Sequence, residues 1–244
     1  MDIATLFDRA AAADPARPFI TYYDDATGER TELSYLTFDN WVAKTANLLV
    51  DEAGLDAGAV GVLRLPPHWL AGAIMVAHWR AGLAVGHLAE GPADIAFVSE
   101  DLMDEPENAD QVYVVSTAPL AVGLRGEAAE TAKTGGMVDF LAEVRGHGDR
   151  FTPPTPVGAD TTALTGLPGG ASRTHGELVE AAEARAVELG VTEGERLMFA
   201  GERLRPLDWL LLPLAVGGSV VLSRNSEDSD LEKRAATERA RRVG

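Results

Sequence analysis

Between Thr161 and Leu178 the chain reads TTALTGLPGGASRTHGEL, a run dense in threonine and glycine that leads into a helix start. Hydroxyls and bare backbone N–H groups can surround an anion where larger side chains would block it, so the chemistry this stretch suggests is phosphate binding. Thr174-x-x-Glu177 has capping-box spacing: the Thr hydroxyl accepts from the third helical N–H and the Glu reaches back to the cap. The anion would therefore lie near the positive end of a helix dipole.

Other reactive groups form no constellation. His68 and His78 fall on one expected helix, about 15 Å apart at 1.5 Å per residue, too far to share an ion. His87 closes an expected strand, His147 sits among Gly and Pro, and His175 is expected to pack at the helix start. No histidine pair has zinc-ligand spacing, so no metal site is expected. The chain lacks G-x-S-x-G, G-x-x-x-x-G-K-[ST] and a strand-following G-x-G-x-x-G, which argues against a hydrolase serine, a standard P-loop and a dinucleotide fold. No catalytic residue is assigned. The acid pairs Asp24-Asp25 and Glu100-Asp101 read as solvated turn residues. Trp41, Trp69, Trp79 and Trp209 read as core or interface packing.

Composition bounds the class. The 244 residues, 46% hydrophobic and 24% charged, describe a globular chain with a sizeable core. A net charge of −17 argues against nucleic acid and anionic lipid as partners. The absence of cysteine removes disulfides and thiolate chemistry. The N-terminus has no basic signal region and no apolar run reaches a membrane span, so a cytoplasmic protein is expected. Lysine-dependent chemistry has three candidates, Lys44, Lys133 and Lys233.

The elements that must position the Thr/Gly run follow from periodicity. Ile3, Leu6, Phe7 and Ala10 mark a helix ended by Pro15. Phe19–Tyr23 and Arg30–Leu33 form a hairpin across Gly28. Phe38 to Leu49 carries one helical face. Val60–Leu65, a Pro66-Pro67 turn, a helix over His68–Arg80, Gly82 as its left-handed stop and a strand at Leu83–Leu88 make a βαβ unit. Strands are expected at Asp94–Ser99 and Gln111–Thr117, and a helix over Met137–Arg145. After the Thr/Gly loop come a helix to Leu189 stopped by Gly190, strands Leu197–Ala200 and Ser219–Ser223, and an apolar helix Leu207–Val216 between them. The tail from Asp228 is helix-prone. The fold class is α/β, mainly parallel sheets covered by helices. Gly146–Gly158 is the one connector, dividing the chain into subdomains 1–145 and 159–244.

Several strings in this order resemble the AMP-binding, adenylate-forming superfamily of acyl-CoA synthetases, luciferases and adenylation domains. Glu32-Leu33-Ser34-Tyr35-x-x-Phe38 stands where that family has its early L-T/S-Y-x-E-L entry. Ala59–Gly86 is similar to its V-x-x-x-L-P-N-S … A-x-x-x-A-G-A segment, and Leu207–Leu222 to its P-L … G-A-x-V-V-L pair. Its phosphate loop reads S/T-G-T/S-T-G-x-P-K-G, followed by T-H. Setting Thr174-His175 on that T-H, Thr162, Thr165, Gly166, Pro168 and Gly170 match, while Ala163, Leu164 and Gly169 depart; Gly169 replaces the lysine. Arg173 is the nearest cation in sequence, though Arg and Lys are not interchangeable at such sites.

The resemblance implies the N-terminal part of the acyl-CoA synthetase-like fold, with ATP or AMP and Mg²⁺ as cofactors. It marks Thr162, Thr165, Gly166 and Gly170 as the nucleotide-binding residues. Family members are about twice as long, and their metal carboxylate, ribose clamp and catalytic lysine find no counterpart here. The expectation is a degenerate member, a pseudoenzyme that binds a nucleotide or an acyl/CoA-type ligand without adenylating alone. The alternative is a non-catalytic scaffold. Self-association or a protein partner is expected under either reading, because truncating the family fold exposes apolar surface.

Overall fold

The computed structural model describes residues 1–86, 92–105 and 107–243. His87 and the end of the strand expected at Leu83–Leu88 lie outside the described residues.

Helix α1 (Ile3–Ala13) starts on Asp2, whose carboxylate accepts the Thr5 N–H, and its apolar face Ile3, Leu6, Phe7 and Ala10 is buried. Strands β1 (Pro18–Asp24) and β2 (Glu29–Ser34) form the expected antiparallel hairpin. Helix α2 (Tyr35–Asn47) follows, capped by Ser34 and prolonged by one π-helical turn, Leu48–Glu52. Then come β3 (Val60–Arg64), α3 (Trp69–Ala81) and β4 (Ala84–Gly86), with Gly82 left-handed at φ 77° between helix and strand. Strands β5 (Ala93–Ser99) and β6 (Ala109–Val115) precede α4 (Gly126–Thr134), an element the sequence pattern did not announce.

The helix expected over Met137–Arg145 is shorter than its spacing suggests. Val138–Asp139 pairs with β6 as a short strand, β7, and α5 (Phe140–Val144) begins after it on an Asp139 cap. Past the connector lie β8 (Thr162–Leu167), β9 (Ala171–Thr174), α6 (His175–Leu189) and β10 (Arg196–Ala200). A π-helical turn at Leu207–Leu211 opens into α7 (Leu212–Ala215). The chain closes with β11 (Ser219–Arg224), α8 (Asp228–Glu238) and a two-residue strand, β12 (Arg241–Arg242).

Two sheets organise these elements. The larger runs β7-β6-β5-β3-β4-β8-β9, parallel except for β9; the smaller runs β12-β10-β11-β1-β2, parallel except for β2. Each sheet takes strands from both sides of residues 146–158.

Alternation within single strands shows where the layers lie, because successive side chains face opposite sides of a sheet. Ile95 and Phe97 join the main core, while Ala96 and Val98 join a second cluster with Ala132 of α4. Likewise Val220 and Leu222 face the main core, and Val221 packs with Leu231 and Ala235 of α8. The order is therefore α4, seven-stranded sheet, a middle layer of helices, five-stranded sheet, α8. Helix α3 lies in that middle layer and every residue but Arg80 is buried, as an all-round apolar helix must be. Gly72 allows the close approach of Trp209, since a Cβ there would stand 3.2 Å from its ring.

One expectation about polar residues is corrected. Asp24 is not a solvated turn residue: it is buried and accepts from the Ala26 N–H and the Asn225 amide. Its neighbour Asp25 pairs with Arg234 at 2.7 Å. Both acids tie the β1–β2 turn to the C-terminal segment.

Candidate functional site

The Thr/Gly stretch folds as a β-hairpin and not as an open loop. On one side β8 pairs in parallel with β4, setting Leu164 against Val85 and Thr165 against Gly86. On the other side β9 returns antiparallel, with register shifts on both sides of Leu164. The turn needs glycine, because Gly166, Gly169 and Gly170 have φ of 68°, 78° and 74°. Side chains with a Cβ rarely adopt that region. A Cβ at Gly169 or Gly170 would meet nothing within 4 Å, so backbone conformation sets the requirement there, not crowding.

The base of the hairpin is held from three directions. The buried indole of Trp79 donates to the Ala163 carbonyl at 2.9 Å, fixing β8 to α3. The capping box forms as its spacing predicts: Thr174 N–H donates to the Glu177 carboxylate (2.8 Å) and Glu177 N–H to the Thr174 hydroxyl (3.2 Å). His175 is fully buried, and its Nδ1 accepts the Ile3 N–H at 3.3 Å, docking α1 onto the start of α6. Burial pushes the His175 imidazole down to about 4 despite the opposing pull of Asp2. It packs as the sequence suggested.

The four residues marked as nucleotide-binding, Thr162, Thr165, Gly166 and Gly170, thus fall in one hairpin. Thr162 and Gly170 are exposed, whereas Thr165 and Gly166 are half-buried. The hairpin's one basic side chain, Arg173, is exposed and stands 4.0 Å from Glu177, a distance worth little in water. Among the described residues no group of three or more His, Asp or Glu is placed to hold a metal ion. The glycine turn leaves a phosphate room to approach the backbone. The donor set does not fit a Mg²⁺–triphosphate, which needs carboxylate oxygens for the metal and cations for the charge.

Beside the hairpin lies a cavity of about 620 Å³. Leu164, a large apolar residue within the Thr/Gly stretch, forms part of its wall with Leu63, Met75, Trp79, Val85 and Leu178. The segment 202–207, which leads from β10 into the apolar helical run, also lines it. Volume and lining suit a small organic ligand. A second, polar cleft of about 660 Å³ adjoins it, and Leu63, Leu65, Pro66, Glu202 and Arg203 border both. Arg64, Arg224, Ser99, Asp101, Leu102 and Thr117 complete the cleft. These residues stand at or just past the C-terminal ends of β3, β5, β6, β10 and β11, where ligands of parallel α/β sheets bind. Sequence reasoning missed this cleft. Its members are scattered from 63 to 224, and the local signal was Gly201-Glu-Arg-Leu-Arg-Pro206, a charged break before an apolar helix.

No family model matches the chain. A TIGR03089 family protein of Mycobacterium tuberculosis (strain ATCC 25618 / H37Rv) is 35% identical over 248 residues, covering 98% of this chain and 96% of that one. Among solved structures, the acyl-CoA synthetase of Brucella canis matches 98% of this chain with a TM-score of 0.75 at 18% identity. The inhibitor-bound N-terminal domain of FACL13 from Mycobacterium tuberculosis matches 98% with a TM-score of 0.69 at 14% identity. The acetoacetyl-CoA synthetase of Streptomyces lividans matches 98% with a TM-score of 0.74 at 16% identity. This chain covers 46%, 61% and 41% of those three, so the likeness is one of fold over part of a larger molecule.

Proposed function

From the premise that the chain belongs to the TIGR03089 family and has the acyl-CoA synthetase-like fold of an N-terminal portion, we propose a ligand-binding protein that does not adenylate by itself. It holds an acyl-type ligand in the cavity beside the hairpin. The observation that carries this reading is the cavity itself, about 620 Å³ and lined mainly by apolar side chains, with Leu164 in its wall. A leucine there favours hydrocarbon over phosphate. In this reading the chain is a pseudoenzyme within a ligase-like superfamily.

A second reading, AMP or ATP bound through Thr162, Thr165, Gly166 and Gly170, is favoured by the three left-handed glycines of the turn. Thermal melting separates the two. A ligand that binds only the native state raises Tm by an amount set by its concentration over Kd. Medium-chain acids and acyl esters should raise it, and Leu164→Trp, which fills the cavity, should abolish the rise. If AMP or ATP with Mg²⁺ gives the larger rise and Thr165→Ala removes it, the nucleotide reading replaces the acyl one. No shift with either class leaves the scaffold reading, in which the fold serves a protein partner or a second copy. Robust ATP–pyrophosphate exchange by the isolated chain would overturn the non-adenylating part of the proposal.

A further inference from the structure

We propose that the outer face of the seven-stranded sheet, in the groove beside α4, docks a basic amphipathic helix of another polypeptide. This groove is separate from the cavity beside the β8–β9 hairpin and needs no ligand there.

Parallel sheets normally have both faces covered by helices. The middle layer covers the inner face. On the outer face, the apolar cluster of Ala96, Val98 and Val114 is met, among the described residues, by a single helix, the nine-residue α4. Val112 belongs to the same outer row, because it alternates with Val114 along β6 and is the register partner of Ala96. Its cover is incomplete. Val112, Met103 and Met137 line a groove of about 710 Å³ between α4 and the residues that follow β5. Methionine is unbranched and polarisable, and adapts to apolar partners of irregular shape. The floor can therefore accept side chains from outside.

The remaining lining fixes the charge of the partner. Glu127, Glu130, Thr131 and Thr134 recur at i, i+3, i+4 and i+7, so they form one face of α4. That face borders the groove, while Ala128 and Ala132 turn to the sheet. Asp104, Glu105 and Glu107 line it as well, and no Lys or Arg does among the described residues. Arg64 takes up Glu105 and Glu107. Asp104, Glu127 and Glu130 are exposed and have no ion-pair partner among the described residues. An apolar floor beside unpaired carboxylates is complementary to a helix with apolar residues at i, i+3 and i+4 and Lys or Arg flanking them. Such a helix would lie next to α4 as a second cover on the sheet.

A second copy of this chain fits poorly. Each copy carries a net charge of −17, so copies repel. Its outer helices are also acid-rich. Helix α6 has Glu177, Glu180, Glu183 and Glu188 against Arg185, and α8 has Asp228, Asp230, Glu232 and Glu238 against Lys233 and Arg234.

The test is calorimetry on the full chain at physiological salt, where long-range attraction is screened. The probe is a synthetic peptide of about fourteen residues with leucines at i, i+3, i+4 and i+7 and lysines elsewhere. A scrambled peptide of the same composition and spermidine are the comparisons. The ordered peptide should bind at least about tenfold more tightly than the scrambled one, the scale of burying one large apolar side chain. Met137→Ala should remove most of that difference. Glu127→Gln with Glu130→Gln should weaken the ordered peptide about threefold to tenfold, since two surface charge contacts are lost. Glu180→Gln with Glu183→Gln changes the net charge equally on α6 and should leave binding unaltered. All four glutamates are exposed, so neither double variant disturbs the core. Equal binding of the two peptides, or equal weakening by the two double variants, would mean that net charge alone attracts them and would overturn the proposal. Spermidine binding as tightly as the ordered peptide, and depending on Glu127 and Glu130, would make the groove a polyamine site and overturn it likewise. So would a dimer of the free chain that Met137→Ala dissolves, because the occupant would then be a second copy. Failure of both peptides to bind would refute the docking surface outright.

Discussion

Lowering pH from 7 to 5.5 should destabilise the fold by about 4 kcal/mol, through three histidines alone. Burial pushes His68 down to about 3 and His78 and His175 down to about 4, each from an ordinary value of 6.5. Each has a geometric reason to stay neutral. His68 and His175 use Nδ1 as an acceptor, for the Leu70 and Ile3 N–H groups, so a proton at Nδ1 would face another N–H. His78 donates from Nδ1 to the Ile74 carbonyl at 2.8 Å, and its Nε2 lies against the bare backbone of Gly61, where no acceptor awaits a proton. A folded value below the unfolded one means that the unfolded chain binds more protons throughout the window from about 6.5 down to about 4. Stability is therefore present above the unfolded value and falls as the pH drops below it. At pH 5.5 each histidine contributes a loss of about 1.2 kcal/mol relative to pH 7, whatever its folded value below about 4.5. This endpoint stays above the range in which most carboxylates titrate. Urea unfolding at the two pH values measures the difference, and His175→Gln should flatten it by about a third. Equal stability at pH 7 and 5.5 would show that these rings are not held neutral, and would undo the account of how α1 is docked on α6.

Three further outcomes follow from the same contacts. Gly61→Ala places a Cβ 2.1 Å from His78 Nε2, so the buried ring must move; a loss of about 1–3 kcal/mol in urea unfolding is expected. Trp79→Phe leaves the buried Ala163 carbonyl without its donor, at a cost of about 1–3 kcal/mol, and should speed amide exchange in β8 more than in β6. Thr174→Ala removes the cap of α6 and should cost about 1 kcal/mol, read as a lower urea midpoint with unchanged slope.

Local features of the fold could be read from single residues. Gly82 and Gly190 end their helices in the left-handed region, Ser34 and Thr174 cap the next ones, and the β1–β2 hairpin closes across Gly28 as its composition suggests. The hairpin at β8–β9 was not legible as strands. Glycines and bulges interrupt its alternation, and its partner β4 lies some eighty residues earlier in the chain. For the same reason nothing in the sequence announced that strands before residue 35 and after residue 195 share a sheet. The four residues Thr162, Thr165, Gly166 and Gly170 could be singled out in the sequence because they lie close enough together to form a pattern. Arg64, Arg203 and Arg224 could not be, since only the convergence of strand ends brings them together.

The pairing of β1 with β11 sets Ile20 against Val220, two hundred positions apart. During synthesis the hairpin of β1 and β2 emerges well before its inner neighbour, which is made some two hundred residues later. Until then the apolar inner edge of β1 is open, and the ribosome-bound chain presents an unsatisfied strand. Contacts of such separation slow folding and extend the time available for wrong pairings. Chaperone engagement of nascent chains should therefore persist until β11 clears the exit tunnel, and β1 should be the last N-terminal element to gain protection from exchange.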